Sequence, residues 1–70
     1  MAMTNLHNGE YYEVICGADD RYRIRMKGPD AFTTDETGRV LEYAFPFEAN
    51  QAAQKFEGRA QQAANQQQLF

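Results

Sequence analysis

Polar and apolar positions alternate in twos over the first two thirds of the chain, and from Glu48 onward the apolar positions recur every three or four residues. The change of period marks a change from strands to helix. Glu10–Cys16 (EYYEVIC) is rich in aromatic and β-branched types and predicts a first strand. Gly17-Ala18-Asp19-Asp20 supplies the turn residues of a hairpin loop. Arg21–Lys27 (RYRIRMK) alternates without a break and predicts the second strand of that hairpin. Gly28-Pro29-Asp30 interrupts it, because proline has no N–H to give to a ladder. Ala31–Thr34 reads as a brief extended piece with Phe32 turned inward. Asp35-Glu36-Thr37-Gly38 is a tight turn, with Gly38 suited to a left-handed position. Arg39–Phe45 (RVLEYAF) reads as the third main strand, closed by Pro46.

Ala49, Ala52, Ala53, Phe56, Ala60 and Ala63 fall on one side of a helix, with Asn50, Gln54, Glu57 and Gln61 largely on the other. Alanine and glutamine favour helix, whereas Gly58 predicts a kink or pause. No Ser, Thr, Asp or Asn stands at the expected N-cap before Ala49. The fold class that results is α+β. A three- or four-stranded antiparallel meander carries one C-terminal helix on one face, in the order β-β-β-α. Residues 1–9 are expected to form a flexible arm, 10–60 the single domain, and 61–70 a Gln/Ala-rich helical or frayed tail.

Strand parity assigns the faces. Tyr12, Val14 and Cys16, then Tyr22, Ile24 and Met26, then Leu41, Tyr43 and Phe45 should look toward the helix. Tyr11, Glu13 and Ile15, then Arg21, Arg23, Arg25 and Lys27, then Val40, Glu42 and Ala44 should look away from it.

Composition narrows the function classes. Seventy residues suffice for one domain with one small core. Five phenylalanines and four tyrosines can supply much of that core, which argues against disorder throughout. Ten acidic against seven basic side chains give a net charge of −3, which weighs against a general polyanion binder. A single cysteine, Cys16, has no internal disulfide partner and suits a reducing cytoplasm. No signal-peptide pattern opens the chain, and no apolar run approaches the ~20 residues of a membrane span.

Four of the seven cations, Arg21, Arg23, Arg25 and Lys27, share one face of one strand. Read as a site, they form a partner-binding surface together with Tyr11, Ile15 and Val40. Read as structure, they pair across strands with Glu13 and Glu42 and keep an open sheet face soluble. A helix from Glu48 to Gln68 would span ~31 Å at ~1.5 Å per residue and overhang the sheet. Ala60, Ala63, Leu69 and Phe70 are then candidate dimer or docking contacts, or else part of a polar tail.

Catalytic chemistry finds little support. Cys16 and His7 are the sole nucleophile–base candidates, with Cys16 expected in the core and His7 in the arm. Asp19-Asp20 and Asp35-Glu36 sit in turns and lack the alternate spacing of a calcium loop. No zinc-type Cys/His cluster and no glycine-rich phosphate loop is present in the sequence, so no metal or cofactor is expected.

The first expectation is therefore a non-enzymatic, cytoplasmic protein-binding module, an adaptor or an inhibitor that covers a partner's acidic or mixed surface. In composition it is similar to the general type of small phage and mobile-element inhibitors, anti-CRISPR proteins among them. The second is a nucleic-acid-binding module using Arg21–Lys27 as a ribbon in the major groove. The third is a structural homodimer or assembly subunit.

Overall fold

The computed structural model of the chain describes residues 5–67, with side chains as far as Asn65. It contains β1 (Tyr12–Cys16), β2 (Tyr22–Met26), β3 (Ala31–Phe32) and α1 (Pro46–Gln67). The sheet is antiparallel in the order β1-β2-β3, and the helix packs on one face of it. This is the α+β, β-β-β-α architecture that the two periods predict.

The β1–β2 register pairs Val14 with Ile24, Glu13 with Arg25 and Ile15 with Arg23. Val14 and Ile24 therefore share the inner face, where they meet Ala49 and Ala53 of α1. Ile24, Ala49 and Ala53 are completely shielded from solvent. The two alanines have no bulk to hold the helix off, so it sits directly on the strand pair. Around this centre lie Leu6, Tyr12, Tyr22, Tyr43, Ala52 and Phe56, all partly buried. The Tyr12 and Phe56 rings lie 5.4 Å apart, tilted by 31°. Burying a side chain such as Ile24 contributes about 1.5–3 kcal/mol. Among the described residues two of the four buried apolar side chains are alanine, so the half-buried aromatic shell matters correspondingly more.

Two hairpin loops follow one plan. In the first, Asp20 N–H bonds Gly17 C=O (3.1 Å), Gly17 N–H bonds Arg21 C=O (2.8 Å), and Asp20 is left-handed at φ 61°. In the second, Gly38 N–H bonds Asp35 C=O (3.1 Å), Asp35 N–H bonds Arg39 C=O (2.8 Å), and Gly38 is left-handed at φ 89°. Three-residue hairpin loops favour such a left-handed residue in last place.

The far side of β2 departs from the expected third strand. Ala31 and Phe32 take the ladder opposite Met26 and Arg25. The chain then leaves the sheet as a small hairpin, bridged at Thr34 and Val40, and returns so that Tyr43 pairs with Tyr22. Arg39–Phe45 is thus not a continuous strand, because β3 already occupies part of the edge it would need. The register also sets Phe32 on the Arg25 side, away from the helix, and not inward.

Other expectations are corrected at the ends of elements. Cys16, at the end of β1, is exposed, since the buried centre stops at Val14 and Ile24. Phe45 is 62 % exposed and takes no place in the core. Pro46 opens the helix where the pattern suggests only the close of a strand; its missing N–H is no loss in a first helical turn. The helix runs through Gly58 without interruption.

The arm is also tied down from Asn5 onward. Val14 N–H bonds His7 C=O (2.8 Å), and Gly9 N–H bonds Tyr12 C=O (2.9 Å), so the arm folds back along β1. Asn50 accepts from His7 N–H and donates to Asn5 C=O, both at 2.8 Å. No helix among the described residues is long and apolar enough to cross a membrane.

Candidate partner-binding face

Alternation in RYRIRMK places Ile24 in the core and turns the flanking arginines to the opposite side of the sheet. There, each arginine meets carboxylates supplied by strands and turns. Arg23 holds Asp19 through both of its terminal nitrogens (3.2 and 2.8 Å) and Glu42 at 2.9 Å. Arg25 donates to Glu13 at 2.8 Å and also to Asp30 of the β2–β3 turn. Arg21 lies 3.9 Å from the second oxygen of Glu42. Lys27 donates to the Asn8 side chain in the arm.

The face is therefore close to electroneutral. Four cations (Arg21, Arg23, Arg25, Lys27) stand among four carboxylates (Asp19, Glu42, Glu13, Asp30). Hydrogen bonds donated to Asp19 first and Glu42 second raise the pKa of Arg23 above its ordinary value. Those donated to Glu13 and then Asp30 do the same for Arg25. The Arg23 hydrogen bond in turn holds Asp19 below the usual carboxylate range. Glu13 and Glu42 are the partners that parity predicts. Asp19 and Asp30 escape strand parity because they lie in turns, although both fall within five residues of the arginine they serve.

Apolar side chains interrupt this network. Ile15 is paired with Arg23 and Phe32 with Arg25. Phe32 and Val40 are each 40 % exposed, while Tyr11 and Ile15 are half-buried. Phe32 is the member of this face that sequence reading misses. Its signal would be the pairing with Arg25, which a short β3 fixes and parity along Arg39–Phe45 does not. Compared with protein-family models, curated proteins and solved structures, the chain matches none.

The candidate nucleophile–base pair is engaged elsewhere. His7 Nε2 lies 3.0 Å from Glu57 Oε1, while Cys16 Sγ donates to Gly17 C=O at 3.6 Å. Glu57, expected on the outer side of α1, is instead buried, and Asn50 is half-buried beside the arm. The two Glu57 oxygens also accept Tyr11 N–H (2.8 Å) and Tyr12 N–H (3.0 Å). Burial pushes this carboxyl up, but the His7 and two backbone hydrogen bonds outweigh it and leave the pKa below its ordinary value. Helical spacing could have revealed the role of Glu57: it lies four residues after Ala53 and three before Ala60, inside the apolar stripe. Gly9 permits the contact, since a Cβ there would collide with Glu57 Oε1.

Of the candidate docking contacts on α1, Ala60 is half-buried and Ala63 exposed, while Leu69 and Phe70 lie outside the described residues.

Proposed function

We propose that this chain is a small non-enzymatic protein-binding module, of the adaptor or occluding-inhibitor type, that engages its partner through the outer sheet face. The observation that carries the reading is the pairing of every arginine on that face with a carboxylate, with Phe32 and Val40 exposed beside them. A phosphate backbone would have to displace the resident carboxylates before it could use these guanidinium groups, which disfavours nucleic acid. A protein partner of mixed charge meets donors already fixed in direction, so less side-chain entropy is lost on binding. Arginine and aromatic side chains beside aliphatic ones are the composition of interface centres. A reducing cytoplasm suits the lone exposed thiol of Cys16.

The test is affinity capture with the tagged chain, repeated with Phe32→Ser and with the pair Arg23→Glu and Arg25→Glu, each verified by circular dichroism. Both variants should lose a partner that the unmodified chain retains. Retention of every specific partner by folded variants overturns the face assignment. A salt-sensitive gel shift with duplex DNA or RNA would replace the reading with nucleic-acid binding.

A further inference from the structure

Hydrogen bonds, far more than packing, hold the arm to the rest of the chain. Among the described residues, none of the buried apolar side chains lies in residues 5–9. Leu6, half-buried, is the arm's apolar contact with the core. His7 is the fixing point, because each of its polar parts is engaged by a different element. Its C=O accepts Val14 N–H of β1 (2.8 Å), and its N–H donates to Asn50 Oδ1 of α1 (2.8 Å). Its ring nitrogen Nε2 lies 3.0 Å from Glu57 Oε1. Asn50 and Glu57 are two turns apart on the same side of the helix, so α1 grips the arm at both places.

The sheet and helix are joined without the arm. Val14 N–H points toward His7, so the β1–β2 ladder runs through Glu13 and Ile15, paired with Arg25 and Arg23. Val14 and Ile24 meet Ala49 and Ala53 directly. Glu57 also keeps donors when His7 leaves, since Tyr11 N–H (2.8 Å) and Tyr12 N–H (3.0 Å) bond it from the start of β1. Release of the arm therefore strands no buried carboxylate. A segment with little buried apolar surface and solvent-facing hydrogen bonds is the kind that opens below the global unfolding free energy.

We propose that residues 5–9 form a strap, bolted at His7, that opens as a unit while the sheet and helix stay folded. Opening bares Tyr12 C=O and Val14 N–H in one row along β1, so these two groups become available to another backbone only in the open state. The strap lies apart from the arginine face, and its behaviour is independent of what that face binds.

Native-state hydrogen exchange of the full chain, followed by NMR in the regime that reports opening equilibria, tests this. After correction for intrinsic rates, the Gly9 and Val14 amides should share one opening equilibrium, at least about tenfold more open than that of Ile15 and Arg23, and nearly insensitive to low urea. His7→Ala should speed Gly9 and Val14 by about tenfold, as expected for one hydrogen bond to a charged group. Ile24→Val weakens the core shared by the closed and open forms. It should speed Ile15 and Arg23 by about fivefold and leave Gly9 and Val14 unchanged. Exchange of all four amides at one corrected rate, or with one urea dependence, overturns the proposal. So does an Ile24→Val variant that speeds all four alike, or a His7→Ala variant that leaves Gly9 and Val14 unmoved. Failure of His7→Ala to fold overturns it too, because sheet and helix should stand without the strap.

Discussion

The contact between Gly9 and Glu57 shows how one missing methyl group holds two parts of the chain together. The carboxylate serves His7, Tyr11 and Tyr12 at once, and does so because nothing projects from Gly9. Gly9→Ala should force the carboxylate back and leave partly buried N–H groups without an acceptor, a loss of about 1–3 kcal/mol. Urea denaturation of the variant checks this, and an unchanged midpoint would show that the contact is incidental. Thr33 presents the opposite case. It is buried, and its hydroxyl has no hydrogen-bond partner among the described residues. Thr33→Val keeps the shape and removes the stranded hydroxyl, so thermal melting should show it neutral or stabilised by up to about 1 kcal/mol. Neither residue announces itself in the sequence: Gly9 reads as a chain breaker and Thr33 as the end of a short extended piece. Their roles depend on neighbours more than 40 residues away in one case and on the path of a loop in the other.

At the scale of elements, α1 persists through Gly58, where an added methyl group would meet nothing within 4 Å. Gly58→Ala should therefore stabilise the protein by up to about 1 kcal/mol, read as a higher melting temperature. A lower one would mean that the helix packs there. The alternation in RYRIRMK and the alanine spacing fix β2, its two faces and the buried side of α1, because each is a local period with a single outcome. Arg39–Phe45, also read as a strand though its alternation is weaker, makes only isolated bridges at Val40 and Tyr43. Its partner edge is contested, and Ala31–Phe32 reaches that edge first along the chain. Competition for an edge is invisible to a period. The arginine stripe was legible as a face, but its neutralisation was only half legible, since two of the four carboxylates come from turns.

For the molecule as a whole, acid should be the effective denaturant. Glu57, Asp19 and Asp35 all lie below their ordinary values; Asp35 is held down by the Thr37 hydroxyl first and then by backbone N–H groups. A carboxyl whose pKa is depressed by folding contributes its full stability above the ordinary range, near pH 4, and loses it as pH falls through the folded value. The urea midpoint should accordingly stay level down to about pH 5 and then decline. Glu57→Gln should start lower and decline less. Parallel profiles for the two proteins would remove Glu57 from the account.

The backward fold of the arm along β1 has one more consequence. It gives the outward N–H of Val14 and C=O of Tyr12 partners from within the chain. A sheet flank sealed over its first half in this way leaves foreign strands fewer free groups to pair with, so loss of the arm would raise the domain's tendency to amyloid-like stacking.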